Sequence, residues 1–142
     1  MANCSYQLPD DLLMKLSTLA DKTDEIVPKV LEAGAEVVLK KAKSNLQASI
    51  GRTKYKSRST GELLSALGVS PAKQDRDGNF NVKIGFSEPR KNGQANAKIG
   101  TILEYGKHGQ PPRPFMKPAK SAAKAECISA MEGKFDEEVS QI

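Results

Sequence analysis

The stretch from Phe80 to Phe86 narrows the fold most. Phe80, Val82, Ile84 and Phe86 alternate with Asn81, Lys83 and Gly85, the period of two expected of a half-buried strand. Asp77-Gly78 just before it is a hairpin-turn signal. Residues Val69 to Gln74 can supply the partner strand, with Pro71 confining that partner to an edge or to its beginning.

On either side the apolar period changes to that of helices. Asp10-Asp11 precede Leu12, Leu13, Leu16 and Leu19, one apolar stripe with acids at the positive end of a short helix. A longer helix is expected from about Glu25 to Leu46 or beyond, with Val27, Val30, Leu31, Gly34, Val37 and Val38 as its stripe. Pro28 then falls in the first turn, where its missing N–H costs little. Lys40, Lys41 and Lys43 suit the far end, and Gly34 on the apolar face implies a closely approaching neighbour.

Further on, Ser59-Thr60-Gly61-Glu62 fits a capping box ahead of a short helix carrying Leu63, Leu64 and Leu67, with Gly68 closing it in a left-handed conformation. Residues 87–96 read as a polar surface loop. Ile99, Ile102 and Leu103 are spaced for another short helix over Lys98 to Tyr105, capped by Gly106. Pro118 suits the first turn of a final helix, along which Ala119, Ala122, Ala125, Ile128, Met131, Phe135 and Val139 keep helical spacing. It ends in the acidic Asp136-Glu137-Glu138. The expected fold class is therefore α+β, a long N-terminal helix and a C-terminal helix packed on a small antiparallel sheet.

With 142 residues the chain reads as one domain, 1–142, with 1–7 and 137–142 expected to be mobile. A domain of that size buries roughly two-thirds of the surface its unfolded chain exposes. Aromatic residues make up only 5% and there is no Trp, so the core must be built mostly from aliphatic side chains. No apolar run approaches the roughly 20 residues of a membrane span. Cys4 and Cys127 stand far apart and form no disulfide framework. Cys127 reads as a small buried hydrophobe on the last helix. With no secretory signal in view, a reducing cytoplasm is the simplest compartment.

The net charge of +5 permits contact with nucleic acid without requiring it. Arg52, Lys54, Lys56 and Arg58 form a basic loop around Tyr55. Such a loop can grip or stack on nucleic acid, though a solvated connection is the commoner use of a charge run. Lys107 and Arg113 belong to a second basic segment, rich in Gly and Pro.

Catalytic chemistry finds little support. One His and two isolated Cys do not supply the usual zinc spacings. His108, between Lys107 and Gly109, reads as an exposed loop residue rather than a general base; a hydroxyl or thiol within hydrogen-bond reach would reverse that. The glycines match neither the dinucleotide nor the phosphate-loop spacing. Neither an enzymatic activity nor a cofactor is expected.

One stretch is distinctive. Leu103-Glu104-Tyr105-Gly106 is followed, after a short polar run, by Pro112-Arg113-Pro114-Phe115-Met116-Lys117-Pro118-Ala119. Pro112, Pro114 and Pro118 stiffen the segment and lower its entropy when unbound, while Phe115 and Met116 present apolar anchors. Such a segment can dock on a neighbouring subunit, or on the chain's own sheet with Phe115 closing the core.

The stretch resembles the signature of the HK-type siphophage tail-component family, described as minor tail, tail-completion or head–tail joining proteins. The chain departs from the family pattern in Lys107, where Thr or Ser is frequent, and in Met116 for a common Leu, a volume-conserving exchange. The resemblance implies a virion structural protein, made in the host cytoplasm, that assembles with itself into a ring and docks on neighbouring neck or tail proteins. It points to Leu103, Glu104, Tyr105, Gly106, Pro112, Pro114, Phe115, Met116 and Pro118 as assembly residues. Arg52, Lys54, Tyr55, Lys56, Arg58, Lys107 and Arg113 would then face DNA in a channel or a partner protein, and no membrane is involved. The alternative is a small basic nucleic-acid-binding protein, which requires steeply salt-dependent DNA affinity in the free chain.

Overall fold

The computed structural model describes residues 5, 7, 9–49, 61–87 and 96–142. In chain order the elements are α1 (Asp10–Asp21), α2 (Thr23–Ser49), α3 (Glu62–Ala66), β1 (Leu67–Val69), β2 (Lys73–Gln74), β3 (Phe80–Asn81), β4 (Ile84–Phe86), α4 (Asn96–Tyr105) and α5 (Met116–Ser140). The α+β expectation holds: two long helices carry a small antiparallel β portion.

Helices α2 and α5 run antiparallel. At one end Lys29 Nζ meets Glu138 Oε2 at 3.0 Å; at the other, Asn45 Nδ2 donates to the Phe115 carbonyl at 3.2 Å. Small residues set the spacing between them. A Cβ added at Gly34 would lie 2.6 Å from Met131 Cγ and 3.1 Å from Cys127 Sγ, which is the close approach expected of that glycine. Ala42, Ala119 and Ala123 are buried on the same facing surfaces.

Above that pair sits the core. Leu39, Ala42 and Leu46 of α2 join Leu63 of α3, Leu67 of β1, Phe115 and Ala119. Partly buried Val69, Ile84, Phe86, Ile99, Leu103 and Met116 pack around them. The fully buried Leu46 contributes about 1.5–3 kcal/mol by leaving water.

The expected single strand over 80–86 divides in two. β1 pairs with β4 in the register Leu67↔Phe86, and β2 with β3 in the register Gln74↔Phe80. Between the two ladders lie three residues on one side, 70–72, and two on the other, 82–83. The extra residue is a bulge, placed where Pro71 has no N–H to give. The Ser70 N–H donates to the Lys83 carbonyl at 2.7 Å, and the Lys83 N–H donates to Ser70 Oγ at 2.9 Å. Because the insertion is on the partner side, residues 80–86 keep their in–out alternation through the break. The Asp77-Gly78 turn is present as expected, with Gly78 at φ +85° and Asp75 Oδ1 accepting from the Asp77 and Asn79 N–H groups at 2.9 Å each.

Four helical expectations need correction. α2 begins at Thr23, so Pro28 lies beyond its first turn and deprives the Asp24 carbonyl of a helical donor. The basic cluster Lys40–Lys43 sits inside α2, which continues to Ser49. Gly68 does not close α3 in a left-handed conformation; Leu67 already has an extended backbone and Gly68 pairs with Gly85 in the sheet. On α5, Ile128 and Phe135 are exposed, at 46% and 43%, as are Ala122 and Ala125. At about 100° per residue, Ile128 has turned roughly 180° from Ala119. The inner face follows steps of four instead, through Ala119, Ala123, Cys127 and Met131. The acidic end of α5 is helical to Ser140, where Lys29 and then Lys134 hold the Glu138 carboxyl below its ordinary range. The capping-box residues Ser59 and Thr60 and most of the 87–96 loop lie outside the described residues.

Candidate functional site

The final helix has a defect that its own sequence cannot mend. The residue at its N-cap is Phe115, which offers no side-chain acceptor to the free N–H groups of the first turn. Glu104, at the end of α4, supplies that acceptor from a different element. Its Oε2 accepts from the Phe115 and Met116 N–H groups at 2.8 and 2.9 Å, and its Oε1 from the Lys117 N–H at 2.9 Å. Burial pushes the Glu104 carboxyl up, but the three backbone donors and the nearby Lys117 charge outweigh it, so the net direction is down from 4.5. The positive end of α5 favours the same charge.

The chain between the two helices is folded to make this reach possible. The Gly106 N–H donates to the Ile102 carbonyl at 2.8 Å and closes α4 with Gly106 at φ +77°, as expected of a helix-capping glycine. Lys107 and Gln110 then bond each other through their backbones at 3.0 and 2.9 Å, with exposed His108 and Gly109 at the tip. The chain turns back so that the Arg113 N–H meets the Leu103 carbonyl at 2.6 Å. Phe115 enters the core, 1% exposed, and meets Phe86 edge-on with ring centroids 5.9 Å apart.

The distinctive stretch is therefore a clasp within one subunit. It brings Leu103, Glu104 and Gly106 together with Arg113, Phe115, Met116 and Lys117. Leu103 and Met116 pack against the core. Tyr105 stays on the surface at 77% exposure, and Pro112, Pro114, Pro118 and Lys107 are exposed while Arg113 is half-buried. Arg52, Lys54, Tyr55, Lys56 and Arg58 lie outside the described residues.

Two features escaped the sequence reading. The Glu104 cap was signalled only by the absence of Ser, Thr, Asp or Asn directly before the final helix. The second is the exposure of the stripe on α1, a helix the sequence did indicate: no residue of it is buried, with Leu12, Leu13 and Leu16 at 42%, 46% and 47% and Met14 at 69% exposure. Among the described residues, no group of three or more His, Cys, Asp or Glu is placed to hold a metal ion. No described helix is long and apolar enough to cross a membrane.

A protein family described as "Bacteriophage HK97-gp10, putative tail-component" matches residues 10–106. The chain belongs to this family of phage tail components. The match runs from the start of α1 to the capping Gly106, so it includes Leu103-Glu104-Tyr105-Gly106, while Pro112–Ala119 follow it. No curated protein and no solved structure matches the tail component.

Gly106 is the hinge of the clasp in this tail component. A Cβ there would lie 2.9 Å from both the Gln110 carbonyl oxygen and the Pro112 nitrogen, and φ +77° is unfavourable for any side chain. Gly106→Ala should cost about 2 kcal/mol, read as a lowered midpoint in urea. Gly109→Ala, also at positive φ but with open space around it, should cost about half as much.

Proposed function

We propose that this tail component acts in tail completion or head–tail joining, as a ring of identical copies seated between neighbouring neck or upper-tail proteins. Membership of the family over residues 10–106 carries this reading. The structure lends support in one respect. The clasp consumes its apolar anchor internally, while Leu12, Leu13, Leu16 and Met14 of α1 keep 42–69% exposure, Leu12 and Leu16 lining a pocket with Val139 and Ile142 of the same chain. Apolar side chains that one subunit leaves half-exposed can be covered further by a neighbouring protein on assembly. The work is then structural, carried out in the virion after assembly in the host cytoplasm. In this reading Lys107 and Arg113, with the basic residues Arg52, Lys54, Lys56 and Arg58 and Tyr55 among them, serve contact with DNA passing through the ring or with a neighbouring protein.

The test is genetic and visual. A phage lacking this gene should yield particles with heads and tails unjoined or tails unfinished, restored by the gene in trans. A gold label on the chain should mark the neck or upper tail. Infectious particles of normal appearance in its absence would refute the assignment.

A further inference from the structure

Helix α1 is folded back on its own subunit. In an unbroken helix Leu12 would stand about 25 Å from Lys29. That is clear of α5, whose Glu138 meets Lys29 and which ends at Ser140. Instead Leu12, Leu16 and Leu19 share a pocket with Val139 and Ile142. The chain therefore bends at Lys22, the one residue between α1 and α2.

The bend is not dictated locally. Sharp helix kinks are mostly set by Pro or Gly, and neither occurs between Asp10 and Val27. Lys22, at φ −95° and ψ 2°, is within roughly 45° of helical values. Helical bonding runs up to it and resumes from it: the Lys22 N–H donates to the Thr18 carbonyl at 3.1 Å, and the Ile26 N–H to the Lys22 carbonyl at 2.9 Å. Nor is α1 held firmly. No residue of it is buried, and a pocket of about 390 Å³ remains under its leucines. Among the described residues no hydrogen bond or ion pair joins it to α5. Its seat is apolar contact alone, and every copy of the chain presents an identical one.

We propose that neighbouring copies exchange α1: in the assembled ring the chain straightens at Lys22, and α1 of each copy takes the Val139–Ile142 seat of the next. This rests on the ring reading above and names the contact within it. A short hinge and an identical seat are what exchange of an element between copies requires. No new complementarity is needed, because the leucines meet the same side chains on a second copy. A straightened α1 reaches about 18 Å past Lys22. Exchange that runs head to tail closes a ring when the rotation allows it.

Cross-linking between two differently marked copies tests it. In protein carrying Cys4→Ser and Cys127→Ser, Leu16→Cys and Val139→Cys are placed either in one chain or in two separate chains that are co-expressed, and a short bismaleimide is added. In dilute purified protein the doubly substituted chain should close internally and give no multimers. In assembled particles the two separate chains should give covalent dimers, at least tenfold more than a Leu16→Cys chain mixed with an Asp77→Cys chain marked at the exposed hairpin tip. Inserting three glycines after Lys22 relieves the hinge and lets α1 stay on its own subunit, so it should cut the 16–139 dimers several-fold while leaving the internal closure intact. Multimers in particles with a lysine-reactive cross-linker, without 16–139 dimers, would overturn the exchange and leave the ring standing. No multimers with either reagent would overturn both.

Discussion

Phe115→Ala should unfold at a denaturant midpoint corresponding to about 3–5 kcal/mol less stability than the unmodified chain. The ring is 1% exposed, lies among Leu39, Leu46, Leu63 and Leu67, and meets Phe86 edge-on. Removing it forfeits its transfer from water, opens a cavity at the junction of α2, α5 and the sheet, and deletes the aromatic pair. The loss should be measurable in dilute protein, because it is internal to the subunit. Tyr105→Ala is the counterpart. That residue is 77% exposed, so its removal should leave stability within about 0.5 kcal/mol. Should Phe115→Ala leave the isolated chain's midpoint unchanged, the burial of this ring within the subunit would be refuted.

These two residues show what the sequence made legible. Local patterns carried well. The strand alternation at 80–86, the Asp77-Gly78 turn, the Gly106 cap and the close approach at Gly34 all depend on nearby residues or on backbone geometry, and each is present in the fold. Phe115 was open between a docking anchor and a core residue, because both uses ask for an apolar side chain between prolines. The sheet register was not legible, since Pro71 permits a bulge without dictating which residue is extra. Nor was the inner face of α5, where Ala119, Ala122, Ala125 and Ile128 keep a step of three. That step drifts about 60° per repeat, whereas the contact with α2 follows steps of four. The stripe on α1 was visible, but periodicity states that a face is apolar and not whether the same chain covers it.

Glu104 is where the family signature and the physics of the fold meet, and its substitution tests both. Glu104→Ala removes the acceptor of three N–H groups at 2.8–2.9 Å. A single lost cap typically costs 0.5–2 kcal/mol, and hydrogen bonds to a charged acceptor are stronger than neutral ones. Water can recover part of the loss at the exposed Lys117 end, so the net cost should be roughly 3 kcal/mol. Glu104→Gln keeps an oxygen but loses the charge and one acceptor, and should cost about half of that. The pH dependence separates this role from simple packing. The folded Glu104 carboxyl lies below its ordinary value of 4.5, so as acid is added the unfolded chain takes up the proton first. Its stabilisation is therefore complete above that ordinary value and is lost as pH falls through the lower folded one. Urea midpoints of the unmodified chain and of Glu104→Gln should accordingly differ most at neutral pH and converge in that acid window. Parallel curves through that acid window would mean that the charge on Glu104 does not hold the start of α5. The clasp would then owe its strength to Phe115 and the turn at Gly106.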